Sequence, residues 1–284
     1  MTAPVTEKTP VRSTPRATAA PRRRTWGSLP TGLRRTILLV VLLAAWEIGV
    51  RVSGVSELLL VGPVEVVGSL VGGIADGSLV GSVLVTLRTL TIALGIGVLI
   101  AAVLTTLATW TKIGEDVLVL FTSMLNPLPA IAVLPLAILW FGLNNTALVV
   151  VIANAVVWPI ALNVSQGFRT ANSTVVAVGR NIGLTGWRQV AYVLMPAALP
   201  HTISGLKTGW AFGWRTIIAA ELVFGVAGAG GGLGNFINDA RMYLHIADAF
   251  AGLVTIALIG LAFDLVFSWV ERVTVVRWGM KSAG

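Results

Sequence analysis

The stretch VGRNIGLTGWRQVAYVLMPAALP, residues 178–200, lies between long apolar runs but carries Arg180 and Arg188, no acid, and two prolines. It is too polar to cross a bilayer and too patterned to be a plain loop. Ser173 or Thr174 can cap a short helix that runs to about Ile182. Gly183 then supplies a stop, because glycine enters the left-handed region freely. Thr185 can cap a second helix from Trp187 to about Leu194, which Pro196 and Pro200 end. Val175, Val178 and Ile182 share one face of the first helix, and Trp187, Ala191 and Leu194 share one face of the second. Two apolar faces outside the membrane need a cover. Either the protein's own spans and the lipid surface supply it, or a partner protein does.

The rest of the chain places this stretch in a membrane protein. Of 284 residues, 56% are apolar and only 11% charged, with a mean hydropathy of +0.88. Soluble domains are about one quarter charged. A bilayer core needs roughly 20 apolar residues per helix. Six segments qualify, at about 34–53, 83–109, 117–141, 146–166, 203–225 and 250–271. The expected fold is therefore an all-α membrane bundle of about six transmembrane helices. Residues 1–33, rich in Pro, Thr and Arg, read as a disordered basic tail, with a signal peptide as the rival reading. The membrane domain spans 34–272, with the polar segment at 167–200, and a short tail occupies 273–284.

Charge sets the orientation. The net charge is +8, yet eight of the twenty Lys and Arg residues fall between Lys8 and Arg35. Such a flank marks the cytoplasmic side rather than a nucleic-acid surface. Arg169, Arg180, Arg188, Arg272, Arg277 and Lys281 fall on the same side. The opposite segments, 54–82 and 226–249, hold Glu57, Glu65, Asp76, Asp239 and Asp248 with a single Arg241. Both termini are thus expected in the cytoplasm. With no cysteine and only His201 and His245, the chain has no thiol chemistry and no metal site. It also lacks any Gly-Lys dipeptide, which excludes a phosphate-binding loop of the Walker type. The glycine-rich GAGGGLG at 228–234 reads as a flexible turn.

Charged and small residues inside the spans mark further candidates. Arg215 and Glu221 lie six positions apart, about 240° around a helix, so they cannot pair on it. Each needs a partner on another span, on a second copy or in a substrate. Asn126, Pro127 and Pro129, with Pro135 beyond, crowd the third span. Prolines there bend or unwind the helix, and freed carbonyls survive only when buried or lining a cavity. The span is either pathway lining or a structural kink. Gly205, Gly209 and Gly213 recur every four residues as a packing face, within the subunit or across a dimer.

Residues 178–200 resemble the EAA loop of ABC-importer permeases of the binding-protein-dependent transport family. Gly183 matches the loop's glycine, Pro196 follows thirteen residues on, Pro200 closes the motif, and Arg180 stands where these permeases often carry arginine. The resemblance extends over about 34–280. NPLPAIAVLPLAILWFGL (126–143), AAELVFG (219–225), GGLG (231–234) and ERVTVVRW (271–278) are similar to the nitrate, sulfonate and taurine branch. One position departs: the family's acid falls on Ala177. The resemblance implies a permease subunit with no enzymatic activity, moving a small anion such as a sulfonate, taurine or nitrate. The loop would then be a coupling helix, with Ala177, Arg180, Gly183, Trp187, Arg188, Pro196 and Pro200 meeting an ATPase that carries the ATP and Mg. It also implies an external substrate-binding protein and a second permease copy, as in a homodimer. A secondary transporter or channel is the alternative. That alternative predicts inverted repeats or a proton relay, and neither is evident.

Overall fold

The computed structural model describes residues 30–56, 58–224 and 231–276. Among them there is no strand. The helices are α1 (Thr31–Ser53), α2 (Pro63–Ala75), α3 (Ser78–Ala108), α4 (Lys112–Leu125), α5 (Leu134–Phe141), α6 (Asn145–Arg169), α7 (Ser173–Asn181), α8 (Trp187–Gln189), α9 (Met195–Ala197), α10 (Leu199–Phe224), α11 (Leu233–Met242) and α12 (Ile246–Glu271). The chain divides into two units, residues 1–49 and 50–284. Of the first unit, the described part is most of α1, a long apolar helix. Residues 1–29 of the expected tail lie outside the described residues, and 31–33 already belong to α1.

In the second unit α6 is the central helix, packed against α3 on one side and α10 on the other. Its Val151, Ile152, Val156 and Ile160 are buried. Small residues let the neighbours come close. A Cβ on Gly97 of α3 would lie 2.7 Å from Val156 Cγ1. On α10 the recurring glycines meet α6 of the same chain. Added Cβ atoms would reach Asn163 at 2.9 Å from Gly205, Ile160 at 2.7 Å from Gly209, and Val156 and Leu90 at 3.0 Å from Gly213. The packing face left open by the sequence is thus intramolecular. In lipid, where water does not drive helices together, such backbone approach supplies dispersion contacts that larger side chains would prevent. On another face of α10, Trp210 stacks on Phe263 of α12 at 4.2 Å and on Trp214 at 5.6 Å.

All six expected spans appear as helices, with three corrections. The 117–141 segment is not one span. It breaks into α4 and the 130–141 helix, bent by 91°. Pro135 does not kink α5 but stands in its first turn, where its missing N–H costs nothing. By length and apolarity, α1, α3, α6 and α12 each suffice to cross a membrane, and the bent pair makes a fifth candidate. At 26 residues α10 is long enough, but Lys207, Arg215 and Glu221 leave it too polar to rank with them. Lys207 pairs with Asp264 of α12 at 3.5 Å. Finally, the helical C-terminus continues as a π turn over Arg272–Val276, so 273–276 are not tail. Residues 277–284 lie outside the described residues.

Two helices lie in 54–82 and 226–249, the segments in which no span is expected. Pro63 opens the 13-residue α2, which packs on α12, and α11 packs on α12 and α10. Ser69 on α2 donates a hydrogen bond to Asp248 Oδ1 at the start of α12. The α2–α3 turn is closed by Asp76, whose Oδ1 accepts from the Ser78 N–H at 2.8 Å. Ser78 holds that carboxyl below its usual range.

Candidate functional site

The broken helix builds a cavity against the middle of α6. Without its N–H, Pro127 cannot continue the α4 ladder, and Pro129 (ψ 112°) turns the chain into a 3₁₀ turn over Ala130–Val133. Between them lies a cavity of about 260 Å³. Asn126, Pro127 and Pro129 line it from the break, Asn154 and Trp158 from the middle of α6, and Arg215 from α10. Four of the five residues suspected of lining a pathway therefore converge, although they come from segments almost 90 positions apart. Trp158 Nε1–H donates to Asn154 Oδ1 at 3.0 Å, fixing that wall. Asn126 Oδ1 is buried and lacks a hydrogen-bond partner. Arg215 is exposed and forms no ion pair among the described residues.

Glu221 is not in this cavity. It faces another side of α10 and is 3% exposed. The Thr86 hydroxyl on α3 lies 2.9 and 3.0 Å from its two carboxylate oxygens and donates to the carboxylate. The Gly234 N–H donates to Glu221 Oε2 at 2.9 Å, and the Leu233 N–H donates to Thr86 Oγ1 at 2.8 Å. Carboxylate and hydroxyl together cap the first turn of α11, whose orphan N–H groups favour negative charge. Within GGLG the glycines give way to this carboxylate. A Cβ on Gly232 would lie 2.1 Å from Glu221 Oε1, and one on Gly234 would lie 2.5 Å from Glu221 Cβ. Gly232 and Gly234 of the glycine-rich run are thus tightly packed, whereas Gly231 has open space around it. Residues 228–230 lie outside the described residues.

At one end of the bundle, where α6 ends and α10 begins, the polar segment forms its own small unit. Asn172, rather than Ser173 or Thr174, caps α7, accepting from the Thr174 N–H. At the other end of α7, Gly183 has φ +81°. Its N–H donates to Arg180 O, and the Leu184 N–H donates to Gly179 O. That pair of bonds is the Schellman arrangement, with Gly183 as its left-handed residue. Thr185 does not cap the second helix. Gly186, at φ +57° and ψ −133°, takes the cap position without a side-chain bond, in a region open to glycine. From Trp187 the chain stays helical to Ala197 through a π turn over Val190–Leu194. Pro196 does not stop it, since it stands in the first turn of α9. Pro200 is the second residue of α10 rather than the end of the preceding helix. Pro200 sits where no intrahelical N–H is required.

The two halves of the segment meet at Gly179. A Cβ there would lie 2.8 Å from Val193 Cγ2. Val190 and Val193 are buried, whereas Ala177, Val175, Val178, Ile182 and Trp187 remain exposed. The protein's own bundle therefore does not cover that first apolar face. Arg188 lies over the Trp187 ring at 5.7 Å. Arg180 lines a second cavity, shared with the ends of α4 and α6. Behind the segment, a Cβ on Gly167 of α6 would lie 2.7 Å from Ala198 Cβ, so the exit of the segment is seated on the end of α6.

The fold is thus a helical bundle with a cavity at a broken helix and an ordered segment at one end whose first apolar face is uncovered. Residues 93–277 match the family described as the binding-protein-dependent transport system inner membrane component, and the chain belongs to that family. It is 28% identical over 267 residues, covering 94% of this chain and 95% of the relative, to a Bacillus subtilis protein named for aliphatic sulfonate transport, SsuC. It is 27% identical to the taurine transport system permease protein TauC of Escherichia coli, over 82% of this chain and 86% of that one. A bicarbonate transport system permease protein, CmpB of Synechococcus elongatus, is 33% identical over 55% of this chain and 54% of its own length. Among solved structures, an amino acid ABC transporter crystallised with histidines superimposes with a TM-score of 0.56 at 18% identity, over 72% of this chain and 95% of that one. That likeness concerns the fold. The protein is thus a multi-pass permease subunit of an ABC importer, working with a binding protein, and not an enzyme.

Proposed function

We propose that this permease carries a small anion inward, with a sulfonate or taurine first and nitrate next, and that Arg215 receives it in the cavity at the broken helix. The observation that carries the reading is the position of Arg215. A guanidinium within a membrane-spanning helix is costly unless it pairs or faces a polar space. This one lines a cavity and has no acid beside it among the described residues. Binding sites near the bilayer midplane, at discontinuous helices, are a recurring transporter design. Relatives named for sulfonates, taurine and bicarbonate point to small solutes that carry an anionic oxygen group, which agrees with a cationic wall.

The remaining assembly follows from the same reading. Both termini lie in the cytoplasm, and ATP and Mg are bound by a separate ATPase. Val175, Val178, Ile182 and Trp187 enter a cleft on that ATPase, with Arg188 at its acidic rim. The binding protein delivers the anion to the opposite end, near α2 and α11. A second copy of this chain closes the open side of the Arg215 cavity, giving a homodimer around one pathway.

Uptake by proteoliposomes holding the complete transporter tests the pathway role. With radiolabelled taurine or an alkanesulfonate as substrate, Arg215→Gln should raise the half-saturating concentration at least tenfold, because a hydrogen bond to a charged group contributes about 1.5–3 kcal/mol. Arg215→Lys should retain part of the transport. Unchanged uptake in Arg215→Gln, with the substrate proven, would remove Arg215 from the pathway.

A further inference from the structure

A second cavity is larger than the one at Arg215 and has a polar lining. It lies at the end of the bundle that holds the polar segment and has a volume of about 620 Å³. Lys112 contributes from the first turn of α4, Arg169 from the last turn of α6, and Arg180 from the last turn of α7. Glu115 is the only acid on the wall. It bonds Arg169 at 2.6 Å. Three cations against one acid leave a net charge of +2. Neither Lys112 nor Arg180 has an acidic partner among the described residues. Thr109, Thr111, Ser165 and Gln189 add neutral polar groups to the same wall.

Three independent elements converge on this space, and it is not the surface of one basic helix. All three cations are exposed to solvent at the recess, yet they face one concave space. Three cations around one recess raise each other's cost unless an anion sits among them, and like charges in a concave site focus the field on it. Arginine and lysine around a common centre suit a group with several negative oxygens, which guanidinium binds bidentately and ammonium as a point charge. The Arg169–Glu115 pair holds one arginine in place and leaves the other two cations available.

We infer that the cavity bounded by Lys112, Arg169 and Arg180 is a phosphate-binding site that ties α7 to the start of α4 and the end of α6. The phosphate group belongs to an anionic lipid headgroup at the membrane surface or to a free phosphate compound; the chemistry is shared. The consequence is mechanical. Bound phosphate bridges the segment that carries Gly183 and the helix α4, whose far end is the break at Asn126–Pro129. Nothing in this inference depends on the transported solute or on the role of Arg215.

The test uses the full chain. One arm places it in phosphatidylcholine nanodiscs and follows radiolabelled inorganic phosphate by equilibrium dialysis. The other extracts it from membranes containing phosphatidylglycerol and counts retained lipids by native mass spectrometry. The double variant Lys112→Gln/Arg180→Gln removes the unpaired cations. Arg188→Gln, outside the cavity, makes a single charge change on the same segment. The variant Lys112→Arg/Arg180→Lys keeps the charge and guards against a folding defect. We expect the wild type and the charge-keeping variant to hold phosphate or phosphatidylglycerol, and the double Gln variant to lose it at least tenfold. Arg188→Gln should change it less than twofold. Phosphate binding without lipid retention identifies a free compound as the source, and lipid retention alone identifies a headgroup. If neither arm detects binding, or if Arg188→Gln weakens it as much as the double variant, there is no built site and the inference fails.

Discussion

At the scale of single residues, Glu221 shows how one carboxylate can organise three helices. It lies on α10, takes the Thr86 hydroxyl of α3, and caps α11 through the Gly234 N–H. In the chain these partners are 135 and 13 positions away, so the sequence exposed the buried charge but not its use. The glycines of GGLG were visible as a motif. Their reason, the space that Glu221 occupies against Gly232 and Gly234, was not. Replacing Glu221 with Ala leaves a hydroxyl and a backbone N–H without their buried acceptor. Each orphaned group costs about 1–3 kcal/mol. Glu221→Gln retains an oxygen for the Gly234 N–H and should fall between. Thermal unfolding of the detergent-purified protein should rank wild type above Glu221→Gln and Glu221→Ala lowest. An alanine variant as stable as the wild type would falsify the capping role.

At the scale of elements, the α6–α10 pair rests on small residues at strict four-residue spacing. Gly209 is the central one, its missing Cβ only 2.7 Å from Ile160 Cγ1. Gly209→Leu should force the helices apart and cost about 1–3 kcal/mol or more, as overpacking does. Gly81, with open space around it, should accept the same change at far smaller cost. A melting temperature for Gly209→Leu within a degree of the Gly81→Leu value would refute the close-packing account. Gly205, Gly209 and Gly213 were legible as a packing face because their spacing is local. Their partner was not, since spacing names no neighbour. Long apolar elements such as α3, α6 and α12 were legible for the same local reason. The helices α2 and α11, of 13 and 10 residues, fall below the length needed to span a bilayer, so span length alone passes over them. The break at Pro127 and Pro129 was expected as a bend. Its 91° turn and the cavity it makes with α6 and α10 required the tertiary arrangement.

At the scale of the whole molecule, the proposed coupling requires a mechanical path from the segment at one end of the bundle to the Arg215 cavity. The segment is stiff where it needs to be. The Schellman bonds at Gly183 and the contact of Gly179 with Val193 lock α7 onto the π turn. The next residues, Ala198 and His201, bear on Gly167 at the end of α6, and α10 starts there. Under that proposal a displacement of α7 would bear on α6 and α10, which carry Asn154, Trp158 and Arg215 on the cavity wall. The stiffness depends on a left-handed residue at 183, where a Cβ costs about 1–2 kcal/mol. Nothing lies within 4 Å of the position a Cβ would take, so the penalty is conformational rather than steric against neighbours. Gly183→Ala should therefore leave the melting of the bundle near the wild-type value while weakening retention of the partner ATPase about five- to thirtyfold, the change that such an energy implies. Gly183→Asn should fall between, because asparagine tolerates the left-handed region better than alanine. The measurement is the ATPase retained on the tagged permease across a dilution series. Equal retention by all three proteins would mean that the segment does not transmit force through Gly183, and the handle would have to lie elsewhere on the exposed face of Val175, Val178 and Ile182.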